Sequence, residues 1–161
     1  MASQILIRDA HADDSAAIAR MCRALAVVTG VDGGVPMTAE RVTRDLIEGA
    51  HLSLLSGVVD GRVRGYALYS VAYETAWSAR GLYLSDLFVA EDARRCGLAR
   101  AFMAELVRRA KASGGSFVWW MTKPGNRQAE AFYASLGAHA EPLSAMVIHT
   151  EAFEALIGER K

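Results

Sequence analysis

The run Arg94-Arg95-Cys96-Gly97-Leu98-Ala99 stands between an apolar segment and an amphipathic one, and its residue types suit the holding of a phosphate. The segment before it, Leu82-Tyr83-Leu84-Ser85-Asp86-Leu87-Phe88-Val89, reads as a strand. After it Leu98, Phe102, Leu106 and Ala110 recur four apart, with Met103 and Val107 beside them, which gives a helix one apolar face. Where a strand turns into a helix through a glycine and small residues, successive N–H groups converge and the positive end of the helix dipole points at the same place. Small residues there let a ligand reach main chain that a bulky side chain would cover. The same run serves equally as an ordinary tight turn. It is neither a G-x-x-x-x-G-K-[ST] loop nor the three-glycine loop of dinucleotide folds.

A second candidate segment is Asn126-Arg127-Gln128-Ala129-Glu130-Ala131-Phe132-Tyr133-Ala134-Ser135-Leu136-Gly137-Ala138. By itself it is a helix with an aromatic pair that packs against a sheet, and Asn126 is a plain N-cap.

Together the two segments carry a resemblance. Arg94-x-x-Gly97-x-Ala99 resembles the Q/R-x-x-G-x-G/A signature of the GNAT N-acetyltransferases, and Asn126 to Ala138 is similar to that family's N-x-x-A-x-x-F-Y-x-x-x-G-F/A segment. Both occur in the family's order, with one helix and one strand between them. The wording of Leu82 to Val89 looks most like the spermidine/spermine (diamine) N-acetyltransferase branch. The resemblance covers residues 62–138 and fades toward both ends.

The resemblance implies an acetyl-CoA-dependent transfer to a primary amine, by direct attack in a ternary complex. The donor's pyrophosphate would rest on Arg95, Cys96, Gly97, Leu98, Ala99 and Arg100, with Arg94 and Arg100 adding charge. Leu87, Phe88 and Val89 would lie along the pantetheine arm, and Asn126 and Ala129 would border it. Tyr133 would be the general acid to the leaving thiolate. A phenol near pKa 10 is a weaker acid than a thiol near 8.5, so full transfer runs uphill by about 2 kcal/mol and hydrogen-bonded stabilisation of the thiolate is the safer description. The amine, near pKa 10.4, loses its proton at a cost of roughly 4–5 kcal/mol at neutral pH unless the site helps. In the diamine branch a glutamate stands where this chain has Ser85, and serine is no base. Asp86 is next along, but alternation sends it to the opposite face unless a bulge intervenes. Glu74 and Tyr73 are other candidates, and Trp77 and Tyr83 either line an acceptor pocket or pack a core.

The acceptor implied is a small-molecule amine: a polyamine, thialysine or an amino-acid-like amine. An aminoglycoside or a peptide amine is the alternative among enzymes, and a non-catalytic acyl-CoA sensor the alternative outside them. The implied fold is α/β (α+β), a mixed, mostly antiparallel sheet of about six or seven strands flanked by about four or five helices. A single domain over residues 1–161 and a homodimer are expected.

Stepping outward, residues 3–8 alternate as a first strand with Ile5 and Ile7 inward. Asp13 or Asp14 is placed to cap a helix to about Val28, with Ile18, Met21, Cys22 and Leu25 buried. Gly30 to Pro36 is a glycine-rich loop, either a gate or a connector, and Thr38 caps a shorter helix ending near Gly49. Strands over His51–Val59 and Val63–Tyr73 meet at an Asp60-Gly61 hairpin, and Tyr73 to Gly81 reads as a longer connection. Phe117–Met121 is the next strand, the Asn126 helix ends on Gly137, and a strand over about residues 138–149, interrupted at Pro142, precedes a helix over residues 151–157.

With 52% apolar and 22% charged residues, the 161-residue chain has enough for a core. Lys+Arg and Asp+Glu balance at 18 each, so no basic field draws nucleic acid or anionic lipid. No apolar run approaches the roughly 20 residues of a membrane span, and the start lacks a signal peptide's pattern. Cys22 and Cys96 make no disulfide framework, and four scattered histidines show no metal spacing. The expectation is a cytoplasmic protein without a metal.

Overall fold

Period-two apolar patterning becomes, in the computed structural model, a five-stranded sheet in the order β1-β2-β3-β4-β5. The structure describes residues 3–30, 34–149 and 151–158, and the chain divides into two units, Met1–Asn126 and Arg127–Lys161. In the first unit β1 (Ile5–Asp9), β2 (Ser53–Val59), β3 (Arg62–Glu74) and β4 (Ala79–Val89) pair antiparallel in succession, and β5 (Phe117–Trp120) lies parallel to β4.

Asp60 (φ 47°) and Gly61 (φ 77°) make the β2–β3 turn, the positive-φ pair that right-handed strand twist favours. The connection expected over Tyr73 to Gly81 is shorter. Tyr73 pairs with Arg80 and Glu74 with Ala79, so both strands run on to a turn that Ser78 closes at φ 49°.

Adjacent residues of β3 serve opposite faces. Tyr66 joins Ile18, Met21, Val42, Leu46 and Leu54 under α1 (Ser15–Thr29) and under α2 (Ala39–Arg41), which continues as a π-helical turn through Ile47. Gly65, its neighbour, lies under Leu98 and Phe102 of α3 (Leu98–Ala112). Each fully buried side chain of this size contributes about 1.5–3 kcal/mol. Thr38 caps α2 as expected, its hydroxyl accepting the Arg41 N–H at 3.3 Å. Asp14 occupies the N-cap position of α1 but does not cap it. Its carboxylate accepts instead from Arg8 (2.6 and 2.9 Å), the His11 N–H (2.9 Å) and Ser56 (2.7 Å). Gly30 (φ 62°) ends α1; residues 31–33 of the glycine-rich loop lie outside the described residues. No helix among the described residues is long and apolar enough to cross a membrane.

The second unit holds α4 (Arg127–Ala134) and α5 (Glu151–Gly158). Gly137 (φ 85°) closes α4 as expected, and the Ala138 N–H bonds the Tyr133 carbonyl at 3.2 Å. Residues 138–149, expected to be a strand, form none. Pro142 within them has no N–H to give a ladder. The fold class stands, with five strands among the described residues in place of six or seven.

Candidate active site

The central strand contains the irregularity on which the site depends. Tyr69 pairs with Leu84 and Leu68 with Asp86, so Ser85 is an extra residue on β4. A bulge of this kind bends the strand and resets its alternation. Asp86 therefore shares a face with Tyr83 and Tyr66, while Ser85 is exposed.

Pairing of β4 with β5 runs from Gly81↔Phe117 to Leu84↔Trp120, although β4 continues to Val89. The two strands part where the bulge begins. The Ala90 N–H donates to the Arg64 carbonyl at 2.8 Å, so the main chain of Ala90 faces β3. Alternation turns Phe88 the same way and Leu87 and Val89 outward. The Val89 carbonyl accepts from Arg94 Nε at 3.4 Å on that outward side. Leu87 and Val89 thus present main chain to the opening, whereas Phe88 lays its ring against Tyr66 with centroids 6.3 Å apart.

Beyond β4 the chain reaches Arg95 at φ 62° and Gly97 at φ 96°, and α3 begins at Leu98. A side chain added at Gly97 would meet nothing nearer than Ile5 at 3.9 Å, so the backbone angle is what requires glycine. Arg95 holds its left-handed angle without that freedom, at a cost of about 1–2 kcal/mol. Helix geometry leaves first-turn N–H groups such as those of Leu98 and Ala99 without an acceptor one turn back. Arg94, Arg95 and Arg100 are exposed at this corner, and the Cys96 thiol turns inward to the Ala93 carbonyl at 2.9 Å. The loop thus brings main-chain N–H groups and exposed guanidinium groups to one corner.

On the α1 face, the Tyr66 hydroxyl donates to Asp86 Oδ2 at 3.2 Å. Burial pushes the Asp86 carboxyl above its ordinary value, and the Tyr66 hydrogen bond works against that. Tyr83 lies beside Trp119, ring centroids 5.3 Å apart. Glu74 and Trp77 do not join this group. They belong to the β3–β4 turn, seven positions before Asp86 along β4 and so roughly 20 Å away. There Glu74 accepts the Ala76 N–H at 2.9 Å and Trp77 meets Phe117 edge-on, while Tyr73 is exposed.

Asn126 is the last residue of the first unit, and Ala129 and Tyr133 lie on α4 in the second. The Phe132 and Tyr133 rings sit 5.1 Å apart, and burial raises the Tyr133 phenol above its ordinary value. It is neutral at physiological pH and a still weaker acid than a free phenol.

Tyr66 is the group that sequence reasoning missed. It stands 20 residues before Asp86 on another strand, and only the register brings the two together.

The acetyltransferase (GNAT) family model matches residues 24–138. The thialysine N-epsilon-acetyltransferase of Sus scrofa is 29% identical, over 98% of this chain and 99% of that protein. The protein of the same name from Caenorhabditis elegans is 28% identical, over 75% of this chain and 74% of its own. The solved structure of an integron cassette protein from the mobile metagenome of V. cholerae superposes with a TM-score of 0.79 at 18% identity, covering 98% of each chain, a likeness of fold.

Proposed function

Because this chain belongs to the acetyltransferase (GNAT) family, we propose that it moves the acetyl group of acetyl-CoA to the primary amine of a small molecule. The observation that carries this reading is the bulge at Ser85, set where β5 leaves β4. A pantetheine arm has the amides to fill the vacant edge, pairing with the outward main chain of Leu87 and Val89 as a further strand would. One of those N–H groups is then in reach of the thioester carbonyl, where it stabilises the charge that develops on attack. The pyrophosphate rests on N–H groups from Arg95 to Arg100, with Arg94 and Arg100 as counter-charges.

The amine approaches Asp86, which the bulge has brought to the face of Tyr83. A carboxylate raised by burial accepts a proton more readily than an exposed one, which offsets part of the roughly 4–5 kcal/mol that deprotonating an alkylamine costs at neutral pH. Tyr133 hydrogen-bonds the departing thiolate. Attack is direct, in a ternary complex, since no Cys–His pair supports a covalent acetyl-enzyme. Residues 1–161 act as one domain, in a homodimer.

For the acceptor, the named relatives point to thialysine or a similar amino-acid side-chain amine, with polyamines next. Balanced charge gives a polycation no special attraction. The test is free-thiol release from acetyl-CoA with thialysine, ornithine, spermidine, an aminoglycoside and a short peptide, beside calorimetry with acetyl-CoA. Release dependent on thialysine or a related amine supports the reading. Ser85, where the diamine branch has a glutamate, favours one rival, an acyl-CoA sensor; micromolar binding with no release on any amine would establish it.

A further inference from the structure

We infer that Tyr66 is a positioning residue for the transfer, its hydroxyl holding one oxygen of Asp86 so that the other meets the acceptor amine. The inference rests on the reading of Asp86 as the group that receives that amine.

Tyr66 is fully buried, and a buried phenol needs a hydrogen-bond partner. Across the strands Tyr66 stands opposite Phe88, and Asp86 stands opposite Leu68, so Tyr66 and Asp86 are diagonal neighbours. They share a face only because the Ser85 bulge has reset the alternation of β4. Remove the bulge and the carboxylate would lie on the far side of the sheet. The ring of Tyr66 fills a space among Ile18, Met21 and Leu54 that phenylalanine would fill as well. Packing therefore accounts for the ring and leaves the hydroxyl to Asp86.

In this contact the Tyr66 hydroxyl is the donor and Asp86 Oδ2 the acceptor. Cys22, on α1, packs against the same core as Tyr66, and burial pushes its thiol above its ordinary value. Burial does the same for the phenol, far above its ordinary value. A phenol that keeps its proton donates it to the carboxylate, Tyr66 O–H to Asp86 Oδ2. The groups facing the carboxylate are thus Tyr66 from β3 and Cys22 from α1, with Arg23 beyond Cys22. None supplies a counter-charge in direct contact, so the phenol is what favours the ionised form. The second oxygen, Oδ1, is left for an incoming N–H.

The experiment is kcat/KM for the acceptor amine as a function of pH in wild type, Tyr66→Phe and Asp86→Asn. Removing the donor lets the carboxylate hold its proton to higher pH. Tyr66→Phe should move the acid limb up by about one pH unit and so lower kcat/KM about tenfold at pH values on that limb, with KM for acetyl-CoA unchanged. Asp86→Asn should remove the limb and cost ~10²-fold. An acid limb that stays in place in folded Tyr66→Phe, while Asp86→Asn is crippled, would overturn the role of Tyr66 alone. Wild-type activity in Asp86→Asn would instead overturn the reading beneath it. Should Tyr66→Phe not fold, the wild-type Tyr66 ring carbon that bears the hydroxyl decides by NMR. Its shift should titrate at the midpoint of the acid limb, and a flat shift across that range overturns the inference.

Discussion

Leu84 and Trp120 form the last pair between β4 and β5, and the residue that follows Leu84 is the bulge itself. The loss of one neighbour and the kink against the other thus occur at one level of the sheet. The opening that results is framed by main chain, and the loop beyond it offers main chain again. Substitutions that move backbone should therefore outweigh those that trim side chains around the donor.

Gly65 is one such place. A methyl group there would lie 2.7 Å from the Phe88 carbonyl oxygen, 2.9 Å from Phe102 Cε2 and 3.2 Å from Leu98 Cδ2. The first contact is rigid backbone on β4, and the others belong to the start of α3. Gly65→Ala should cost about 1–3 kcal/mol in chemical denaturation. It should also raise KM for acetyl-CoA several-fold, because both walls of the proposed donor site shift. A stability loss with KM unchanged would separate α3 packing from donor binding.

Gly97 asks a different question, since space is free around it and only its φ of 96° is demanding. Valine adds a branched side chain that resists this angle, so Gly97→Val should re-aim the N–H groups at the head of α3. Acetyl-CoA affinity should fall ~10-fold or more by calorimetry, with a thermal midpoint lowered by a few degrees. Affinity equal to wild type would mean that the loop is an ordinary tight turn.

What the sequence disclosed were positions at which the backbone has little choice. Gly97 and Gly137 announce left-handed angles, Asp60-Gly61 announces a hairpin, and the spacing of Leu98, Phe102 and Leu106 announces the buried face of α3. What it withheld depends on pairing between distant segments. The bulge at Ser85 exists only relative to Leu68 and Tyr69 on β3. Asp14 looks like a helix cap until folding brings Ser56, 42 residues away, against its carboxylate. Glu74 and Trp77 are acceptor-site candidates in a sequence that shows a longer connection there; the regular hairpin carries them to its far end.

Tyr133 tests the leaving-group chemistry apart from donor binding. Its phenol is raised by burial, so in the proposed role it would donate a hydrogen bond and keep its proton. Tyr133→Phe should lower kcat ~10²-fold while acetyl-CoA binds within about threefold of wild type by calorimetry. Turnover equal to wild type would remove Tyr133 from the mechanism.

Acid stability should report on Asp14. Burial disfavours its charge, but hydrogen bonds from Arg8, the His11 N–H and Ser56 outweigh that and hold the carboxyl at about 2, against 3.8 when free. A folded value below the unfolded one means that folding favours the ionised form. The contribution, roughly 2 kcal/mol, is complete above about pH 4 and is lost as pH falls toward 2. Asp14→Asn should lower stability by about 2 kcal/mol at neutral pH, where it leaves Arg8 without its partner, and should flatten the acid limb. Urea denaturation at constant ionic strength across that range measures both effects. Parallel limbs in wild type and Asp14→Asn would place the acid sensitivity elsewhere, with Glu105 the next carboxylate to examine, since Arg108 and Arg109 hold it below its ordinary value against the pull of burial.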